Sequence, residues 1–403
     1  MGLARLLIKH GFATSPFDSW TAESEAQLPQ WHVPPTFLST LLGIPTGADS
    51  NVAPVPKSHV VFGRPGDGKT ALRIVLERDI LARTPDALLL RYVDLTPVLA
   101  VSPQPTLATH VDEILKLGTI GLIGRWFEFP SIYQNLSAPV NQDLAWLVEA
   151  YYDRLPPQVK DQYAQLTVLG PRASALIKQG VHAAVEAYNA TIAVLRLEQI
   201  KPTTWGSAVR GSPPQDTPFL RLQKFWGVAA ALGVPSIWVL VDKVDEAPGV
   251  QTADAIFKAV SYILLTQNLL EFSVDTKQVL CLKVFLTRPS EVQPQLKLAG
   301  FRTDRVKTEE IRWARKDLND ALTKRLSHFS GRTVLHFDAF CVPQAQGTHD
   351  KLLDKCDLRP RTLFRMAHEI LAEFDLTSDA AADKLDPQSI DRGIDRGLKA
   401  VVG

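Results

Sequence analysis

Apolar and polar positions alternate between two periods along this chain. Val60-Val61-Phe62 is a short apolar run that ends in glycines, and from Thr70 to Leu81 apolar residues recur at helical spacing, which predicts strand, loop, helix. Ala87 to Leu95, with Leu88-Leu89-Leu90 and Tyr92-Val93 inside it, reads as a second strand of the continuous apolar kind found in parallel sheets covered on both faces. From about 107 to 200 the pattern is helical and predicts helices over Val111 to Leu117, Leu144 to Tyr152 and Ala173 to Leu197. This stretch reads as an insertion, and its cluster Trp126-Phe127-Glu128-Phe129 as core or lid packing. A Gly/Pro/Ser loop from Gly206 to Pro218 leads into a helix over Phe219 to Leu232. Ser236 to Val241 and Val279 to Leu286 then read as buried strands, and beyond Trp313 the chain is helical to about Phe374. Strands alternating with helices predict an α/β sheet domain, and the helical remainder predicts a smaller second domain.

The two ends differ from this body. Residues 1–55 have little periodicity and carry Phe17, Trp20, Trp31, Pro34, Pro35 and Phe37, so they read as an arm whose aromatics dock on the protein itself, with one short helix over Ala22 to Leu28. The tail, 376–403, spaces Ile390, Ile394, Leu398 and Val401 helically, a face that packs on the body or on a partner. The layout expected is therefore an arm (1–55), a core (56–312) with its insertion at about 107–200, a helical lid (313–375) and the tail.

Composition removes several classes of function. A chain of 403 residues with 45% hydrophobic and 22% charged residues is folded, with two or three structural units. Lys plus Arg total 44 against 43 Asp plus Glu, and the net charge of +1 gives no global footprint for nucleic acid or anionic lipid. Cys281, Cys341 and Cys356 are too scattered for a disulfide framework or a CxxC metal site. No apolar run spans a bilayer, and the chain reads as cytoplasmic. No H-E-x-x-H, His/Cys spacing or G-x-S-x-G elbow is present.

The chemistry concentrates in two motifs. Gly63-Arg64-Pro65-Gly66-Asp67-Gly68-Lys69-Thr70 satisfies G-x-x-x-x-G-K-[ST] between an apolar strand and a helix. Its glycines let backbone N–H groups wrap a phosphate chain at a helix N-terminus. Lys69 would reach the β- and γ-phosphates, and the Thr70 hydroxyl would bind Mg²⁺. A phosphate loop needs an acidic partner at a neighbouring strand tip, and Ile237-Trp238-Val239-Leu240-Val241-Asp242-Lys243-Val244-Asp245-Glu246 supplies it. Asp242 is placed to be the Mg²⁺ carboxylate, and either Asp245 or Glu246 to act as base or water-positioner. Asp242-Lys243-Val244-Asp245 also looks like a variant N-K-x-D guanine-reading turn. That reading needs a D-x-x-G motif on an earlier strand, and Asp216-Thr217-Pro218-Phe219 lacks its glycine. The reading favours ATP.

These residues resemble a family. Val239 to Glu246 is similar to the hhhhDxxDE motif of the signal-transducing STAND ATPases, including the NACHT group, and of related AAA+ ATPases of the origin-recognition type. Lys283-Val284-Phe285-Leu286-Thr287-Arg288-Pro289 looks like their sensor 1 strand, and the resemblance implies that Thr287 and Arg288 feel the γ-phosphate. Val306 to Trp313 and Leu318 to Leu326 resemble the last sheet strand and first lid helix, and Arg359-Pro360-Arg361-Thr362-Leu363-Phe364-Arg365-Met366 the sensor 2 segment, with Arg361 leaning over the nucleotide. Arg302 or Arg305 could serve as an arginine finger across a subunit boundary. The fold class implied is an α/β P-loop NTPase with a parallel sheet core, a large helical insertion and a C-terminal helical lid.

The function expected is a slow, Mg²⁺-dependent ATPase switch that controls oligomerisation or a partner. The layout also resembles ATPases of bacterial conflict and antiphage defence systems, in which the effector is often a separate protein. The alternatives are a DNA-loading ATPase of origin-recognition type, which the net charge does not favour, and a nucleotide-binding scaffold with little turnover.

Overall fold

The computed structural model describes residues 2–19, 22–25, 28–45, 51–133, 136–164, 166, 216–377 and 383–402. Its principal elements begin with α1 (Gly2–Lys9), β1 (His59–Phe62), α2 (Lys69–Arg83), β2 (Leu88–Tyr92), α3 (Leu107–Glu128), α4 (Ala138–Tyr151) and α5 (Pro218–Ala231). They continue with β3 (Ile237–Val241), α6 (Ala253–Leu265), β4 (Leu280–Leu286), α7 (Pro289–Leu298), β5 (Lys307–Glu310), α8 (Arg315–Phe329), α9 (Thr348–Lys355), α10 (Pro360–Thr377) and α11 (Pro387–Val402). Strands β1 to β4 and most helices fall where the hydrophobic pattern puts them, whereas β5, with no apolar residue, was expected only from the resemblance. Helix α3 runs far beyond the expected Val111 to Leu117, and α6 and α7 have no counterpart in the sequence reading. The expected helix over Ala173 to Leu197 lies outside the described residues.

The strands form a five-stranded sheet in the order β2-β3-β4-β1-β5, which bears out the α/β class with a parallel core and a helical C-terminal region. Strand β1 pairs in parallel with β4, His59 opposite Lys283 through Phe62 opposite Leu286, and with β5, His59 opposite Lys307 through Phe62 opposite Glu310. Every residue of β1, β3 and β4 is buried, including two polar ones, His59 of β1 and Lys283 of β4, whose Nδ1 and Nζ lie 2.9 Å apart. In a parallel sheet the carboxyl ends share one edge, which is where ligands bind in such folds. Strand β4 stands between the phosphate-loop strand β1 and the acidic strand β3, so the residues after β4 emerge between the two motifs.

The chain divides into two compact units, Met1–Pro85 with Leu240–Phe257 and Leu282–Gly403, and Asp86–Val239 with Lys258–Cys281. In the second unit α3 packs on β2 and α5, and buried Tyr92 Oη lies 2.8 Å from His110 Nδ1. Burial pushes the His110 imidazole down to about 4, so it sits there neutral. In the first unit one hydrophobic core joins Leu6, Leu7, Phe12, Phe17, Leu28 and Trp31 to residues of α8, α9, α10 and α11. The N-terminal segment, expected as an aperiodic arm, thus starts with a helix and is packed into the C-terminal helical core. No described helix is long and apolar enough to cross a membrane.

Helices α10 and α11 touch backbone to backbone. A Cβ on Gly393 would lie 2.4 Å from Ile370 Cα, and one on Gly397 2.7 Å from Met366 Cα. Gly393→Val should therefore force the helices apart and cost about 1–3 kcal/mol, more than the small gain in helix propensity. Urea unfolding checks this: the midpoint should fall, and an unchanged midpoint would contradict the close contact.

Candidate functional site

The phosphate loop is built by its own backbone. Gly63 N–H bonds Leu286 O at 3.0 Å, Asp67 N–H bonds Arg64 O at 3.1 Å, and the Asp67 carboxylate accepts from Arg64 N–H at 2.6 Å. Gly66 and Gly68 take φ of 88° and 90°, left-handed angles that L side chains rarely adopt, and they bring the chain into α2 at Lys69. Lys69 is buried and folds back on the loop, its Nζ donating to Gly63 O at 2.9 Å and Arg64 O at 3.2 Å. Burial lowers the pKa of this ammonium, against the opposing pull of Asp245, Asp242 and Asp67, and Arg361 lowers it further. Asp67 Oδ1 is buried with no hydrogen-bond partner, and desolvation raises that carboxyl despite Arg64 and Lys69. Trp313 Nε1 donates to Asp67 O at 2.9 Å, tying the residues after β5 to the loop.

At the end of β3, Asp242 is buried and accepts from Arg73 Nε at 3.0 Å; Arg73 also pairs with Glu77 one turn further along α2. This pairing fixes the carboxylate against the helix that starts at the phosphate loop. Sequence reasoning missed Arg73, although a charge beside Leu72, Val75 and Leu76 on the buried face of α2 signals a buried partner. Lys243 follows at φ 60°, and Val244–Glu246 form one turn of 3₁₀ helix that presents Asp245 and Glu246. Among the described residues the Asp245 carboxylate has no ion pair or hydrogen bond, whereas Glu246 lies 3.6 Å from Lys243 Nζ.

A cavity of about 340 Å³ gathers these groups. Pro65, Gly66, Gly68, Lys69 and Thr70 line it from the phosphate loop, and Asp242, Lys243, Asp245 and Glu246 from the acidic motif. Arg361, in the first turn of α10, lines it too; its N–H approaches Gly66 O at 3.4 Å, and its guanidinium has no ion pair or hydrogen bond among the described residues. The N-terminal segment contributes Glu23, Glu25, Trp31 and His32, and α8 contributes Arg325. Burial pushes Arg325 down to about 10 against the pull of Glu25, so it is still a cation at neutral pH. It donates to Pro16 O, to Ser19 O at 2.7 Å and to Glu25 Oε2 at 2.6 Å, with Trp31 and Phe364 ring centroids 4.1 and 5.0 Å from its Cζ. A smaller cavity of about 180 Å³ shares His32, Val33, Gly68 and Trp313 and adds the apolar surfaces of Pro34, Pro35, Leu72 and Ile311.

Other expected site residues stand apart from this cavity. Gly63, Arg64, Thr287 and Arg288 do not line it, and Asp67 lines only the smaller one. Thr287 is buried at the end of β4 with an unpartnered hydroxyl. Arg288 turns away because its backbone, at φ 53°, starts α7, where its guanidinium pairs with Glu291 at 3.1 Å. Arg302 pairs with Asp304 at 2.7 Å.

The donor set fits Mg²⁺ bound together with phosphate. Thr70, Asp242, Asp245 and Glu246 offer the cavity only oxygen donors, the preference of this hard cation, which binds through few protein groups plus phosphate oxygens. Among the described residues no group of three or more His, Cys, Asp or Glu could hold a metal ion by itself.

No family model and no curated protein matches the chain. Among solved structures it is similar to that of the Aeropyrum pernix ORC2 protein (ADPNP-ADP complexes), at 11% identity, over 92% of this chain and 71% of that one, with a TM-score of 0.41.

Arg325→Met would leave Glu25 and two backbone carbonyls buried without their cation. Breaking a buried pair from one side costs about 3–5 kcal/mol. The variant should melt well below the wild type and expose residues 13–35 to limited proteolysis, and an unchanged digestion pattern would show that Arg325 does not anchor the segment.

Proposed function

We propose that the chain is a Mg²⁺-dependent ATP-hydrolysing switch of the AAA+/STAND type, whose nucleotide state sets its oligomerisation or the activity of a separate effector protein. The observation that carries this reading is the one cavity onto which Lys69, the Asp242–Glu246 turn and Arg361, unpaired among the described residues, all open. Loop N–H groups and the N-terminus of α2 favour the phosphates, and Lys69 exchanges two neutral carbonyls for charged oxygens, a stronger bond. Mg²⁺, when bound, neutralises charge on the phosphates. Asp242, held by Arg73, and Thr70 are the groups that would hold it. Asp245 or Glu246 orients the water that attacks the γ-phosphate and takes up its proton, and ADP and phosphate leave. Arg361 adds positive charge over Gly66, where the phosphate chain would lie. The aromatic and apolar surfaces of Trp31, His32, Trp313 and Pro35 suit a planar base.

The same cavity supports the switch. Its walls come from the phosphate loop, the N-terminal segment and the C-terminal helices, so a bound nucleotide would bridge parts of the chain that are far apart in sequence. Slow hydrolysis resets it. The assignment to defence systems rests on the sequence resemblance, and its first test is whether ATP with Mg²⁺ raises the mass of the purified chain in light scattering.

Two variants test the chemistry. Lys69→Ala should weaken ATP binding by roughly 10- to 100-fold, the worth of a charge-assisted bond of about 1.5–3 kcal/mol, and normal binding would refute the site. Asp245→Ala with Glu246→Ala should bind ATP normally while turnover falls by about 100-fold or more, measured as phosphate release.

A further inference from the structure

Glu23 lies in a single turn of 3₁₀ helix, Ala22–Ser24, in the N-terminal segment, yet its carboxylate reaches the acidic motif. Lys243 Nζ lies 2.5 Å from Glu23 Oε1 and 3.6 Å from Glu246 Oε2, and all three side chains line the nucleotide cavity. Two carboxylates compete for one ammonium, and the one from the N-terminal segment holds it more closely.

We infer that Glu23 is a positioning residue for hydrolysis: by engaging Lys243 it keeps that lysine from closing on Glu246, so that docking of the N-terminal segment licenses turnover. The inference rests on the ATPase reading, with Glu246 as the carboxylate that orients water. Lys243 sits between Asp242 and the turn that presents Asp245 and Glu246, in a left-handed conformation that fixes where its side chain starts. Without Glu23, the ammonium is left with Glu246 as its i,i+3 partner, and a carboxylate locked in an ion pair no longer orients a water. The segment's own anchor is Arg325, which grips Glu25 two residues further along, so undocking at Arg325 withdraws Glu23 from Lys243. The Lys243, Glu23 and Glu246 side chains are 30%, 41% and 59% exposed, and ion pairs this open add little to stability. The exchange of partners therefore shows in turnover and not in melting.

The test compares full-length wild type, Glu23→Gln, Lys243→Met and the double variant. It measures kcat with Mg²⁺-ATP, affinity for a fluorescent non-hydrolysable ATP analogue and melting temperature, with Lys69→Ala as the control for the site itself. Glu23→Gln should lower kcat about tenfold, a fraction of what a positioned base supplies, with affinity and melting temperature unchanged. Adding Lys243→Met should restore kcat, because the lysine that quenches Glu246 is gone. A Glu23→Gln variant as fast as the wild type, or a double variant as slow as Glu23→Gln alone, overturns the inference and leaves the ATPase reading standing. A wild type that binds the analogue but releases no phosphate overturns both, and Lys69→Ala binding like the wild type removes the site from under them.

Discussion

The first unit depends on a cation placed where water cannot reach it. Arg325 is 1% exposed, and burying a charge is tolerated only when its hydrogen bonds and its counter-charge are supplied together. Pro16 and Ser19 carbonyls, the Glu25 carboxylate and the faces of Trp31 and Phe364 meet that demand, and all but Phe364 come from one N-terminal stretch. Such a demand is directional in a way that apolar contact is not. A hydrophobic segment can slide over a hydrophobic core, whereas a guanidinium with fixed acceptors holds its segment in one register. Glu25 and Trp31, which hold this cation, also line the cavity.

A second buried guanidinium does comparable work at the end of β3. Arg73 lies on the helix that begins at Lys69 and holds the carboxylate that ends β3, so the phosphate loop and the acidic motif are joined by a charge pair as well as by the sheet. The other cations of the cavity are also engaged, Lys69 by loop carbonyls and Lys243 by Glu23, while Arg361 has no such partner among the described residues.

Much of this was legible because the two motifs are local. The loop and the acidic turn are contiguous runs, each bounded by a strand whose unbroken apolar pattern is unambiguous, and both line the cavity. Arg361 was singled out only through the family resemblance, and in the structure it lies against Gly66. Glu23, Arg73 and Arg325 were not legible, since their roles come from partners between 169 and 309 residues away. For Arg325 the available signal was a charge flanked by Leu322 and Leu326 on the buried face of α8, which marks a satisfied buried cation without naming its acceptors. Arg288 went the other way: the sequence offers Thr-Arg-Pro at a strand end, and the start of α7 at Pro289 then turns the arginine to Glu291.

That turn has a counterpart on the adjacent strand. Strand β3 ends in a buried polar residue, Asp242, followed by a cation at φ 60°; strand β4 ends in buried Thr287, followed by a cation at φ 53°. A left-handed conformation costs a side-chain-bearing residue about 1–2 kcal/mol, and glycine would avoid it. Two such turns side by side at the ligand-binding edge fit a site where backbone strain is retained for the placement it gives. At β3 the turn aims Asp245 and Glu246 into the cavity and sends the lysine out to Glu23. At β4 it buries the threonine beside the phosphate-loop strand and sends the arginine to its own helix. In both, the cation that bears the strain is held by a carboxylate, but only Lys243 is held by one from a distant segment. The β3 turn is therefore the one whose geometry can respond to what the N-terminal segment does.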